Sequence, residues 1–279
     1  MTTRPLRVFV TGLGVMSTVG TSVESFWQAC LNGRTAVATV PAHWDIYYRS
    51  VSRCWSPLPV IDFGAYGIGR TELLTLNMPT LLAIAATRQA VANANLGMAT
   101  GIRGGIFVGT GLGAAAAPFD NHYAHVLGGI REPLGRLLSA APDDAALSER
   151  AAALKLTPRV NPLVICQSMP NAIAANLAIR LGIHGTAETL CAACAAGTVA
   201  IGKAFRALRR GELDFAVAGG AEHLADRAGS VFMGFDRLQT LARPLPVGEL
   251  GSENRPFDRA RTGFLFSEGG AAFAVLETE

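Results

Sequence analysis

Leu190 to Leu224 reads LCAACAAGTVAIGKAFRALRRGELDFAVAGGAEHL, and this stretch decides the fold. Just ahead of it and running into it, Thr186 to Leu190 has the composition of a strand. Ala195 to Arg210 then reads as a helix of small and aliphatic residues, closed by Gly211, a residue type that ends helices without a Cβ penalty. Phe215 to Ala218 (FAVA) is a short apolar strand stopped by Gly219-Gly220. Strands alternating with helices in this way predict an α/β layered domain with a largely parallel sheet buried on both faces.

The same pattern recurs on either side. Leu6 to Thr11 (LRVFVT) is predicted to be a strand that breaks at Gly12 and Gly14. Gly105 to Gly109 (GIFVG) is another, followed by Thr110, Gly111, Leu112 and Gly113, and Ala271 to Leu276 (AAFAVL) is the last. Between them, Thr21 with Glu24 makes a capping box for a helix over Val23 to Leu31 that stops at Asn32-Gly33. A long helix runs from about Pro79 to Asn95 and ends at Gly97, and Asn171 to Leu181 has helical spacing up to Gly182. Residues 41–70 carry aromatics, prolines and glycines without a period, which predicts a surface excursion. Residues 126–158, interrupted by Pro133, Gly135 and Pro142, predict an inserted or lid-like segment. The fold class that follows is α/β, with one mixed, largely parallel sheet between helices.

At 279 residues, 50% hydrophobic and 16% charged, the chain carries enough apolar material for a sizeable core. That excludes a disordered chain and a disulfide mini-scaffold. Only two of the 24 basic residues are lysines, Lys155 and Lys203, and the arginines are scattered, so no basic block predicts nucleic-acid binding. The longest uncharged run, Val160 to Ile179, contains Asn161, Pro162, Gln167, Ser168, Pro170, Asn171 and Asn176 and predicts no membrane span. The amino end has no signal-peptide pattern, so a cytoplasmic chain with its five cysteines reduced is expected.

Gly12-x-Gly14 after a strand suggests a dinucleotide turn, but the third glycine arrives only at Gly20, and no G-x-x-x-x-G-K-[ST] occurs. Cys191-Ala-Ala-Cys194 has the spacing of a redox pair or of half a zinc site. Either needs more: Cys30, Cys54 and Cys166 are isolated, and among His43, His122, His125, His184 and His223 only His122 and His125 lie close together. No metal is therefore expected. A third reading takes Cys194 alone. It stands between a strand and a helix opened by Ala195, Ala196 and Gly197, where unpaired N–H groups and the positive end of the dipole favour a thiolate and small neighbours admit a thioester. The alternative is a buried structural cysteine, and position alone leaves the two open.

The quoted stretch resembles the active-site region of β-ketoacyl-acyl-carrier-protein synthases of fatty-acid and polyketide synthesis. In that family a cysteine precedes a small-small-Gly turn and a helix, followed by a strand ending A-G-G-A-E; here these are Cys194, Ala195, Ala196, Gly197, and Ala218 to Glu222. RVFVTGLGVMSTVG (Arg7 to Gly20) is similar to the family's first strand and turn, GTGLG (Gly109 to Gly113) to its second glycine motif, and RPFDRARTGFLFSEGGAAFAVLE (Arg255 to Glu277) to its P-F-D-x-x-R-x-G-F-x-x-x-E-G segment. The resemblance implies the amino-terminal half of a layered thiolase-like α/β/α fold and a decarboxylating Claisen condensation on acyl and malonyl thioesters of acyl carrier protein. It implies an acyl-enzyme on Cys194, with the Cys194 N–H as one oxyanion-hole donor and no metal or organic cofactor. Phe235 matches a phenylalanine that walls the acyl pocket, an ordinary core aromatic being the other reading. Ala114 to Ala117 with Pro118 match a pocket-lining stretch at the family's dimer contact, which implies a homodimer or a heterodimer with another ketosynthase-like chain.

The family's second half brings two histidines, in H-G-T-x-T and G-H-x-x-G contexts, that assist decarboxylation. His184-Gly-Thr186 mimics the first but lies before the nucleophile, where the family has a turn, and is read as a decoy. Thr262 stands where the family commonly has Asp. The carboxy-terminal half being absent from this sequence, three explanations are open: a fragment, one piece of a split enzyme, or a non-condensing partner subunit resembling a chain-length factor. Retention of Cys194 favours catalytic ancestry. Arg206, Arg209 and Arg210 suit either an acidic carrier or a solvated helix face.

Overall fold

The computed structural model describes residues 6–46, 49–96, 103–123, 161–244 and 250–279. The strands among the described residues are β1 (Val8–Met16), β2 (Ala38–Thr39), β3 (Cys54–Ser56), β4 (Gly104–Thr110), β5 (Ala187–Cys191), β6 (Phe215–His223), β7 (Phe266–Ser267) and β8 (Gly269–Thr278). The main helices are α1 (Val23–Leu31), α2 (Met78–Asn93), α3 (Ala172–Leu181), α4 (Ala196–Arg209) and α5 (Ser230–Arg237).

Five strands form the main sheet in the order β1-β8-β6-β4-β5. The sheet is mixed: β6, β4 and β5 run parallel, while β8 is antiparallel to both β1 and β6. Side-chain alternation sorts the faces. Ile106 and Val108 of β4, Val217 of β6 and Phe273 and Val275 of β8 pack in one cluster with α2 and α3. Phe107, Ala216, Ala218 and Leu276 pack on the other face against Ala200, Ala204 and Leu208 of α4. The small-residue column Ala196, Ala200, Ala204 and Leu208 is the buried stripe of α4, so this helix lies close on the sheet. The result is an α/β/α layering.

Two glycine pairs act differently from the sequence expectation. Gly12 and Gly14 do not end β1, and Gly219-Gly220 does not end β6. A Cβ on Gly12 would lie 2.0 Å from the carbonyl oxygen of Ala90, and one on Gly14 only 1.9 Å from that of Ala86. These glycines therefore let α2 lie against the strand backbone, and the strand continues through them. Gly219 has the same role toward β8, where a Cβ would fall 2.0 Å from the Ala272 oxygen.

The capping box of α1 is also shifted by one residue. Ser22 and Ser25 form it, Ser25 N donating to Ser22 Oγ at 3.1 Å and Ser22 N to Ser25 Oγ at 3.0 Å, while Glu24 accepts instead from Gln28. Asn77 caps α2 by accepting from Thr80 N at 2.9 Å.

Residues 41–70 are not the surface excursion that their composition suggested. β3 in this segment pairs with β2 and, in parallel, with β7, making a second sheet. Trp44 is buried and packs edge-on against Trp55 at 4.9 Å and at a tilt against Phe232 at 5.5 Å, and Phe232 meets Phe266 edge-on. Asp236 of α5 ties the segment down by accepting from Val51 N and Ser52 N. The aromatics lacked a period because their partners come from α5 and β7, far along the chain. The predicted segment 126–158 lies outside the described residues.

The α4 side of the sheet is only partly covered. Beyond α4, Val10 and Leu13 of β1 are 58% and 46% exposed, and Ile201 and Phe205, one turn apart on α4, are exposed as well.

Candidate active site

Cys194 sits where the sheet hands the chain to α4. β5 ends at Cys191, and a single 3₁₀ turn over Ala193–Ala195 leads into the helix at Ala196. The bend is made at Ala193, which adopts φ +46, a left-handed conformation costing roughly 1–2 kcal/mol in a residue with a Cβ. No side chain caps the helix start, which leaves its first N–H groups facing the turn. Position is fixed from below by β4: a Cβ on Gly109 would stand 2.3 Å from the Ala196 carbonyl carbon and 2.4 Å from Gly197 N, so only glycine lets the first turn of α4 rest on the strand.

Cys194 is exposed and opens onto a cavity of about 760 Å³. Val15 and Met16 of β1, Phe26 of α1, Leu112, Leu224 and Phe235 make its walls largely apolar. Gly197 and Gly220 line it beside the thiol and keep that end open, the space at Gly197 being clear to 4.0 Å. Glu222 lines it as well, held by the backbone N–H groups of Gly111 and Leu112. Burial pushes the Glu222 carboxyl above the usual carboxylate range, while those hydrogen bonds act in the opposite direction.

Cys194 and Phe235, picked out separately in the sequence, line one cavity. Phe235 also packs edge-on against Phe264 at 5.6 Å and near Phe266, so it is at once cavity wall and aromatic core. Pro118 stands apart. It lies in a short helix, Ala116–Asn121, whose neighbours Ala114, Ala116 and Ala117 line a second cavity of about 380 Å³ with Asp120, His223 and Arg227.

Cys191 pairs with Thr110 at the end of β5. Its neighbour Leu190 packs toward α4, so alternation sends Cys191 to the opposite face from the Cys194 turn. His184 is exposed ahead of β5, a strand's length from Cys194. Among the described residues no histidine lines the cavity; His223 instead approaches Glu268 at 3.4 Å. Sequence reasoning missed both Ala193 and Glu222. Nothing in an alanine signals a left-handed bend, but a lone acid ending the apolar strand FAVAGGA was a visible signal.

The family described as "Beta-ketoacyl synthase, N-terminal domain" matches residues 6–279. The 3-oxoacyl-[acyl-carrier-protein] synthase 2 of Vibrio cholerae is 28% identical over 273 residues, spanning 97% of this chain and 58% of that protein. A granaticin polyketide putative beta-ketoacyl synthase 1 of Streptomyces violaceoruber is 28% identical over 278 residues, spanning 98% and 59%. The solved structure of the ishigamide ketosynthase/chain length factor superposes with a TM-score of 0.71 at 26% identity, covering 98% of this chain and 59% of that one. The chain thus spans well under two thirds of the length of these relatives.

Proposed function

The chain belongs to the β-ketoacyl synthase N-terminal domain family, and on that premise we propose that Cys194 accepts an acyl group from an acyl carrier protein thioester, as the first step of carbon–carbon bond formation in fatty-acid or polyketide synthesis. The observation that carries this reading is the placement of Cys194 on a strained turn lining a largely apolar cavity, with a helix start directly behind it.

The Cys194 thiolate attacks the thioester carbonyl carbon. The oxyanion that forms is met by the Cys194 backbone N–H, and collapse expels the carrier's thiolate, which takes up a proton. The acyl chain, now on sulfur, lies along Val15, Leu112 and Phe235, and its burial favours acyl-enzyme over free thioester; a part for Pro118 in binding requires the chain to reach beyond this cavity. Condensation requires hydrogen-bond donors that stabilise the enolate left when a malonyl unit loses carbon dioxide. We assign those donors to polypeptide that covers the bare apolar face of β1 and α4 next to the cavity, since this much exposed apolar surface marks an interaction site. The edge of β5, unpaired among the described residues, suits pairing with a second ketosynthase-like chain as homodimer or heterodimer. Among the described residues no helix is long and apolar enough to cross a membrane; a cytoplasmic setting keeps the thiol reduced.

The test is intact-mass measurement after mixing the purified chain with an acyl thioester. One acyl adduct is expected on the wild type and none on Cys194→Ala. An adduct that persists in Cys194→Ala refutes the assignment, and no adduct with any carrier-linked or small thioester would leave only a non-condensing partner subunit.

A further inference from the structure

Beyond Gly220 the strand alternation that turns Ala216 and Ala218 toward α4 brings Glu222 to the same side, where it is the one charged side chain lining the cavity among the described residues. Its carboxylate takes the N–H of Gly111 at 2.5 Å and that of Leu112 at 3.1 Å, and the Thr110 hydroxyl lies 3.3 Å from each oxygen. The same Thr110 oxygen accepts from Gly113 N at 3.0 Å. The whole turn after β4 is therefore gathered onto one carboxylate. Two successive amide N–H groups converging on a point form an anion-binding concavity, and a carboxylate fills it with stronger bonds than a neutral acceptor would.

That turn lies beside the nucleophile's own turn on the wall of the same cavity, with room between them for about one methyl group. A Cβ on Gly111 would find Glu222 Oε2 at 3.0 Å on one side and Ala193 Cα at 3.7 Å on the other. Ala193 is the residue with the left-handed φ, a conformation that persists only where its surroundings impose it.

We propose that Glu222 is a positioning residue for Cys194: by pinning the turn over Thr110–Gly113 it supplies the wall on which the strained Ala193–Ala195 turn rests, and so aims the thiol at the thioester carbonyl. The proposal rests on Cys194 being the acyl acceptor. A carboxylate kept in an apolar cavity, against the cost of its burial, fits such a role. In Glu222→Gln the volume is kept, but an amide group that donates faces two donors. In Thr110→Val the charge is kept and one hydroxyl is lost.

Two rates distinguish aiming from general integrity. Acylation by an octanoyl thioester of N-acetylcysteamine, followed by intact mass, demands correct alignment. Alkylation by iodoacetamide at Cys194, with exposed Cys166 as internal reference, demands only access. Glu222→Gln is expected to slow acylation roughly 10- to 100-fold while both alkylation rates stay within about threefold of wild type, and Thr110→Val to do the same more weakly. If the wild type is never acylated at Cys194, the nucleophile assignment fails and takes this proposal with it. Wild-type acylation unchanged in both variants overturns the positioning role alone. A parallel fall of acylation, of the protection of buried Cys54 against alkylation and of melting temperature also overturns it, since Glu222 would then be structural only; should Glu222→Gln not fold, Thr110→Val decides by the same readouts.

Discussion

Gly109→Ala tests how the sheet sets the nucleophile. The added Cβ would lie 2.3 Å from Ala196 C and 2.4 Å from both Ala196 O and Gly197 N, where ordinary contact begins near 3.4 Å. All three atoms are backbone of the first turn of α4, so no rotamer change relieves the clash, and the helix start has to retreat by about 1 Å. In a close-packed interior such overpacking costs about 1–3 kcal/mol, which for a chain of this size lowers Tm by roughly 2–4 °C per kcal/mol. Cys194 stands two residues before Ala196 and moves with it. A displacement of that size costs acyl transfer about 10²-fold. The assay is the rate of acyl adduct formation by intact mass, beside a thermal melt. Gly197→Ala is the control: it lies in the same turn with its nearest neighbour at 4.0 Å, and the gain in helix propensity, about 1 kcal/mol, should leave the melt unchanged or raise it. Should Gly109→Ala acylate at the wild-type rate and melt within a degree of it, β4 does not fix the position of Cys194.

Three further outcomes follow from the fold. Gly14→Ala should destabilise by about 1–3 kcal/mol in urea unfolding, because its Cβ meets the Ala86 oxygen at 1.9 Å; an unchanged midpoint would contradict the packing of α2 on β1. Asp236→Ala should cost about 1–3 kcal/mol, since Val51 N and Ser52 N lose their acceptor, and increased protease cleavage near residues 49–53 should accompany it. Cys54 is buried, and burial first, then nearby Glu253, pushes its thiol up from 9.0 to about 11. The folded state therefore holds a proton that the unfolded state releases between pH 9 and 11. This group's contribution is intact below pH 9 and falls as pH rises to about 11, by up to about 1.4 kcal/mol per unit of difference. Urea midpoints that fall equally in Cys54→Ala over that interval would remove Cys54 as the cause.

Much of this was legible in the sequence because the relevant signals are local. Apolar runs marked the strands, Pro79 and Gly182 marked helix ends, and a cysteine between a strand and a small-residue helix marked the candidate nucleophile. The misreadings share a cause. Gly12, Gly14 and Gly219 read as turn residues, yet what requires them is the backbone of α2 or β8, which a sequence window does not contain. Thr21 and Ser22 both suit a cap, and Glu24 three residues after Thr21 made the wrong one look better. Trp44 and Trp55 read as surface because Phe232, against which Trp44 packs, and Phe266, beside which Trp55 sits in the second sheet, are more than 150 residues away. The Glu222 clamp was hidden by its motif, which drew attention to glycines and away from the acid that follows them.

The uncovered flank formed by β1 and α4 has a thermodynamic consequence. Any polypeptide that binds this flank binds only the folded chain, so apparent stability rises with partner concentration as RT ln(1 + [L]/Kd), about 2.7 kcal/mol at a hundredfold excess over Kd. A melting temperature measured on the lone chain is then a lower bound, and it becomes a titration readout for whatever covers Val10, Leu13 and Phe205.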